Sequence, residues 1–296
     1  MSRLPSMAVK SSPRLENCLA WSRPDIPVER IRQITFLPGV RIGIGTNSLV
    51  TKVVHEGKHL AVKSSFKEQR YSYDNCLYEA RIMRNLDHVN IMKIMGFYSD
   101  RQQVFIIMPA YEMDLWKHLQ CKVVMPETKS RICKGLTEGI GYIHSNNYIH
   151  GDLKAANILL DNSLNPIIAD FGMATTTDKL EYIHSKCTYL APELSEFACD
   201  TGDSVNAISI ASDIFGLGGL ILSVMANQAI HAYWRHKSGT STVELTALYT
   251  YKPRGSTPIF ENIIIPCMSL DASARPTIDQ IKMLLEAIDF ANWIPV

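Results

Sequence analysis

Four polar side chains close together in the chain could carry out a group transfer. They lie in IHGDLKAANILLD at 149–161 and IIADFG at 167–172, and they are Asp152, Lys154, Asn157 and Asp170. A carboxylate such as Asp152 can orient an acceptor hydroxyl and take its proton as transfer proceeds. Asn157, five positions on, and Asp170, eighteen positions on, supply the hard oxygen ligands that a magnesium-bound triphosphate needs. Lys154 can neutralise charge on a transferring phosphoryl group. Taken singly, each reads as a capped loop residue or a satisfied polar group of the core. Together and in this order they point to phosphoryl transfer.

Two earlier pieces fit the same chemistry. GIGTNSLV at 43–50 places Gly43 and Gly45 between two strand-like segments, where a glycine backbone can bend close to a phosphate with its N–H groups inward. A GxG in a hairpin is more often a plain turn. The third position of the GxGxxG form is Ser48, and a strand follows where a dinucleotide fold needs a helix. The next strand contains Ala61-Val62-Lys63, with Ala61 and Lys63 on one face. Glu79 falls in a predicted helix, and a Lys63–Glu79 pair could hold the ammonium against α- and β-phosphates.

The elements that must position these residues change character along the chain. Residues 49–55, LVTKVVH, read as a strand, Glu56-Gly57 as a turn and 59–63 as the returning strand. Residues 73–86 read as a helix carrying Leu77, Ile82, Met83 and Leu86, and Val104 to Met108 as a buried strand. After Pro109 helices dominate. Residues 128–145 put Ile132, Leu136, Ile140 and Ile143 on one face, and Thr277 with Gln280 forms a capping box for a last helix. A strand-rich part followed by a helix-rich part implies α+β architecture, with a cleft between the parts as the default ligand site.

Composition bounds the rest. In 296 residues, 30 Lys and Arg balance 29 Asp and Glu, a net charge of +1 that argues against a general nucleic-acid binder. Hydrophobic residues at 46% and charged residues at 20% exclude wholesale disorder and collagen-like architecture. Seven cysteines occur without a CxxC pair or zinc-type spacing, and residues 1–10 lack the apolar stretch of a secretory signal. The expectation is a protein with reduced thiols, cytoplasmic or nuclear and not secreted. The apolar run from Ile214 to Ala226 is too short to span a bilayer and reads as a buried helix. Pro5, Pro13, Pro24 and Pro27, with an excess of basic residues, mark 1–33 as a flexible arm.

The ordered set of residues resembles the eukaryotic-type protein kinase family. The matches are Gly43-x-Gly45 with Val50, the Ala61-Val62-Lys63 strand, Glu79, the Asp152 to Asn157 loop, Asp170-Phe171-Gly172 and Ala191-Pro192-Glu193, then Asp213 and Arg275. They span about residues 40–290. The resemblance implies a bilobal protein-kinase fold. It would have a small antiparallel β-sheet N-lobe with one main helix (about 34–108), a hinge at 109–113 and a larger, mostly helical C-lobe (114–296). It implies ATP and Mg2+, with protein substrates phosphorylated on serine or threonine and no nucleic-acid or membrane partner. The loop Ile42, Gly43, Ile44, Gly45, Thr46, Asn47, Ser48, Leu49 and Val50 would cover the phosphates, and Val50, Ala61 and Leu159 would sandwich the adenine. Met108 would be the gatekeeper, and Pro109, Ala110 and Tyr111 the hinge reading the adenine edge. Asp152 would be the catalytic base, helped by Lys154, with Lys63 on the phosphates, Asn157 and Asp170 on the metal, and Arg275 braced on Glu193.

The chain departs from the family's pattern at four places. Ser48 replaces the third loop glycine, which implies a stiffer lid, and Gly151 replaces the arginine that pairs with an activation-loop phosphate. Ser185 and Lys186 stand where Gly-Thr is usual. The hinge MPAYEMDL resembles herpesvirus serine/threonine kinases, while HGDLKAANILLD resembles receptor-associated and plant receptor-like kinases, and the expectation leans to a viral kinase. Two rival readings are a catalytically impaired kinase-fold scaffold and a small-molecule phosphotransferase. Lys154, the Gly172 of Asp-Phe-Gly, and the later Asp213 and Arg275 stand against the second.

Overall fold

Alternation along the strands decides which side chains share a face. The computed structural model describes residues 19–23, 26–45, 47–178, 191–194, 208–230, 234–236, 243–245, 253 and 257–292. The chain divides into two compact units, residues 1–87 with 92–110, and residues 88–91 with 111–296.

The first unit holds a six-stranded antiparallel sheet. Its strands are β1 (Leu19–Ser22), β2 (Gly39–Ile44), β3 (Ser48–His55), β4 (Lys58–Ser65), β5 (Gly96–Ser99) and β6 (Val104–Pro109). Their order across the sheet is β1-β5-β6-β4-β3-β2. Glu56 and Gly57 both take positive φ, 49° and 75°, as a two-residue hairpin turn requires. Val53, Leu60, Val62, Tyr98, Phe105 and Ile107 form one buried cluster with Ile31 and Ile34 of helix α1 (Val28–Thr35). The residues that alternate with them, Ala61, Lys63, Ile106 and Met108, therefore belong to the opposite face. Helix α2 (Arg70–Asn85) buries Ser72, Cys76, Glu79, Ala80 and Met83, spaced to form one helical face.

The expected flexible arm over 1–33 does not hold for its described part. Leu19–Ser22 pairs with β5, and α1 lays Ile31 and Ile34, both 0% exposed, on the sheet. Pro27 sits at the N-cap of α1, where a proline permits a helix instead of breaking it. Without α1, the face carrying Leu60, Val62, Phe105 and Ile107 would meet water. Residues 1–18, 24 and 25 lie outside the described residues.

The second unit is mainly helical, with small sheets. It contains β7 (Met113–Asp114), α3 (Leu115–Cys121), α4 (Pro126–Ser145), β8 (Tyr148–Ile149), β9 (Ile158–Leu160), β10 (Pro166–Ile168), β11 (Thr175–Thr176), α5 (Ile210–Ala226), β12 (Trp234–His236), β13 (Val243–Leu245) and α6 (Ile278–Glu286). Strands pair as β10-β9-β7, β11-β8 and β12-β13. Helix α5 is buried nearly all round from Ser212 to Met225 and opens on a Ser209–Ser212 capping box. The Thr277–Gln280 capping box expected for the last helix opens α6. Among the described residues no helix is long and apolar enough to cross a membrane. Cys76, Cys121, Cys133 and Cys267 are free thiols.

Candidate active site

In the first unit the site residues stand on four strands, β2, β3, β4 and β6, on the β2–β3 hairpin and on helix α2. Lys63 Nζ meets both carboxylate oxygens of Glu79 at 2.7 Å. Lys63 is 8% exposed and Glu79 2%. Removing either partner would leave an uncompensated buried charge. Ile42, Ile44 and Gly45 are exposed, Gly43, Asn47, Leu49 and Val50 half-buried, and Ser48 buried. A Cβ at Gly43 or Gly45 would meet nothing nearer than 3.6 and 3.7 Å, so no internal contact demands glycine there. The Gly45 N–H is taken by the Ser48 carbonyl at 2.8 Å, which closes the hairpin. Thr46 lies outside the described residues. Ala61 and Met108 are buried register partners. Pro109 has no N–H to offer, and that of Ala110 donates to the His59 carbonyl at 3.2 Å.

In the second unit the reactive groups gather on one loop. Lys154 Nζ lies 2.5 Å from Asp152 Oδ2, and the Asn157 amide donates to Asp152 Oδ2 at 3.0 Å and to its carbonyl at 2.9 Å. The loop stands on α5. Asp213, in its first turn, accepts from the His150 N–H at 2.8 Å, the Gly151 N–H at 2.9 Å and His144 Nε2 at 2.9 Å. Burial pushes the Asp213 carboxyl up, but the His144 bond and charge and the His150 contacts outweigh it and hold the group below the ordinary range. Gly216 admits Leu153 of the loop against α5, where a Cβ would meet the Leu153 Cβ at 3.0 Å.

His150 ties this loop to the next. Its Nδ1 accepts from the Asp152 N–H at 3.3 Å, which leaves Nε2 to donate to the Ala169 carbonyl at 3.1 Å. The His150 and Phe171 rings lie 5.0 Å apart, both fully buried. The Ala169 N–H donates to the Asn157 carbonyl at 2.9 Å and so places Asp170 just beyond Asn157. Asp170 is exposed, in the left-handed region at φ 64°. Strain of that kind is stored at functional positions. Leu159 is half-buried on β9, and Tyr111 is half-buried with its phenol pushed up by burial and by Asp161.

The donor chemistry fits a magnesium ion. Because the Asn157 NH2 is turned to Asp152, its Oδ1 is the outward acceptor. With the Asp170 carboxylate it makes a two-oxygen set, the kind Mg2+ uses when water and phosphate oxygens complete its shell. Among the described residues no group of three or more His, Cys, Asp or Glu could hold a metal by itself.

Gly151 has φ 77°, and a Cβ there would meet the Met173 carbonyl at 2.8 Å, so the backbone demands glycine. The Thr175 and Thr176 hydroxyls are buried without hydrogen-bond partners among the described residues. Ser185, Lys186 and Thr188 lie outside the described residues. The expected brace is present: Arg275 makes two 2.7 Å bonds to Glu193 and one of 2.8 Å to the Ala211 carbonyl. The sequence reading assigned no role to His144 or His150. Their spacing carries no signal, because only the packing of α4 on α5 brings His144 to Asp213.

The comparisons with known proteins place the chain among kinases. Similar chains include cysteine-rich receptor-like protein kinase 8 of Arabidopsis thaliana, 27% identical over 84% of this chain and 40% of that protein. Cysteine-rich receptor-like protein kinase 6 of Oryza sativa subsp. japonica is 25% identical over 89% of this chain and 41% of its own. The probable LRR receptor-like serine/threonine-protein kinase RFK1 of Arabidopsis thaliana is 30% identical over 66% of this chain and 20% of its own. The chain thus spans about two fifths or less of the length of these relatives. The protein kinase domain family matches residues 36–284, which take in both the Lys63–Glu79 pair and the Asp152 loop, and the chain therefore belongs to the eukaryotic-type protein kinases.

Proposed function

We propose that this chain transfers the γ-phosphate of ATP to serine or threonine hydroxyls of proteins, with Asp152 as the base. The observation that carries this reading is the Asp152 carboxylate, fixed between Lys154 and Asn157 on a loop whose backbone Asp213 holds. Asp152 orients the acceptor hydroxyl and receives its proton as the new oxygen–phosphorus bond forms and the bond from the γ-phosphorus to the bridging oxygen breaks, releasing ADP. Lys154, beside it, offsets charge developing on the phosphoryl oxygens. Lys63, held by Glu79, positions the α- and β-phosphates, and the glycine hairpin, where Gly43 and Gly45 carry no side chain to block a phosphate, lies over them. Asn157 Oδ1 and Asp170 would hold Mg2+, which supplies charge neutralisation on the phosphates when bound.

Serine/threonine preference is supported by Lys154, a compact cation two residues from the base, and by the serine/threonine kinase among the relatives. The test is phosphoamino-acid analysis after incubation with magnesium, labelled ATP and a peptide library, with Asp152→Asn as control. Label on serine or threonine that vanishes in the control supports the reading. Label mainly on tyrosine, or an Asp152→Asn variant keeping more than about a tenth of the turnover, overturns it.

A further inference from the structure

Glu79 reaches Lys63 from α2, so whatever fixes α2 fixes the pair. Side chains outside the family's motifs tie both ends of this helix. Near its start, Ser72 is 1% exposed and lies on the same face as Glu79. Its hydroxyl donates to the Asn47 carbonyl in the glycine hairpin and accepts from the Phe66 N–H at 2.7 Å. The Cys76 thiol, one turn on, lies 4.0 Å from the same carbonyl.

The other end is held from β1. Arg23, the residue after that strand, donates from Nε to the Ile94 carbonyl at 2.9 Å and from Nη2 to the Leu86 carbonyl at 3.4 Å, and pairs through Nη1 with Asp87 at 2.9 Å. Leu86 caps α2, so the guanidinium sits at the negative end of the helix dipole. Arg84, in the last turn, lies over the Trp21 ring at 4.9 Å. Gly96 makes room for this: a Cβ would meet Ile31 Cδ1 at 2.5 Å and the Trp21 carbonyl at 2.8 Å. Asp87 is 69% exposed, so that ion pair contributes little. The two carbonyl bonds need the planar fork of arginine, which lysine lacks.

We propose that Arg23 and Ser72 are positioning residues for phosphoryl transfer, locking α2 at both ends so that the fold itself holds Glu79 against Lys63. This rests on the reading of Lys63 as the phosphate-binding lysine. The experiment uses the full chain and Arg23→Ala, Arg23→Lys and Ser72→Ala, with Arg30→Ala as a surface control in α1. Hydrogen exchange of the α2 amides is measured whether or not the protein turns over. Kinetics with ATP and casein then separate KM from kcat.

Arg23→Ala and Ser72→Ala should each speed exchange within α2 by about tenfold or more while the central strands stay protected. Each should raise KM for ATP about tenfold and leave KM for casein unchanged. Arg23→Lys should fall between, and Arg30→Ala should match wild type. Wild-type exchange in α2 of both alanine variants overturns the lock, as does an equal loss of protection over the whole sheet. If Arg23→Ala does not fold, Arg23→Lys and Ser72→Ala decide. Failure of the wild-type chain to phosphorylate anything sinks the kinase reading, while the exchange data still judge the lock.

Discussion

Asp152, Lys154 and Asn157 stand on a loop whose own backbone is gripped by a buried carboxylate, whereas Lys63 depends on a side chain brought by a separate helix. Asp213 accepts two consecutive backbone N–H groups and an imidazole, and α5 beneath it is buried nearly all round. In the first unit, Glu79 is correct only while α2 is, and α2 is tied near its start by Ser72 and at its cap residue Leu86 by Arg23. Backbone anchoring in a packed core tolerates most surface change. Anchoring through side chains concentrates sensitivity in a few residues and makes the Lys63–Glu79 pair the more adjustable of the two arrangements.

The largest effect expected is on the anchored loop. Asp152→Asn keeps the shape of the loop but cannot take a proton, and kcat should fall by about 10²–10⁴ with the melting temperature nearly unchanged. Steady-state kinetics beside a thermal scan check this; an equal loss of stability would mean that the residue serves the fold.

Next comes the Arg275 brace on Glu193 and the start of α5. Arg275→Ala leaves Glu193 and the Ala211 carbonyl without their partner, and Arg275 is only 1% exposed as a side chain. Unfolding free energy should drop by about 3–5 kcal/mol in a denaturant titration. A change near zero would show that this anchoring is far softer than its geometry.

Gly151→Arg tests whether the family's missing arginine can simply be restored. The left-handed φ and the Met173 carbonyl at 2.8 Å oppose any side chain there. The cost should be about 1–3 kcal/mol of stability, with lower kcat and no new dependence on loop phosphorylation. A variant as stable as wild type and activated by phosphorylation would contradict this.

The smallest effect is in pH. The folded Asp213 carboxyl titrates below its unfolded value, so its stabilisation is complete above the unfolded value and is lost as pH falls through the folded one. Asp213→Asn should therefore flatten the acid limb of the stability profile, read by denaturant titration at a series of pH values. An unchanged slope would show that the His144 and His150 contacts do not hold the carboxylate charged.

The sequence by itself determined the family and most of the elements. Asp152, Asn157, Asp170 and Lys63 stand at spacings that few other chemistries need, and α2, α4 and the β3–β4 hairpin declare themselves by period because one face of each is buried. The described part of the N-terminal segment departs from the arm reading for a physical reason: four prolines outweigh Ile31 and Ile34, whose value as core residues exists only once a sheet face lies opposite them. Tertiary structure alone decided the supports. The contacts His144 to Asp213 and Arg23 to Ile94 join residues 69 and 71 positions apart. Hydrogen bonds between such distant groups follow from packing and leave no period in the chain, so no reading of local pattern can reach them.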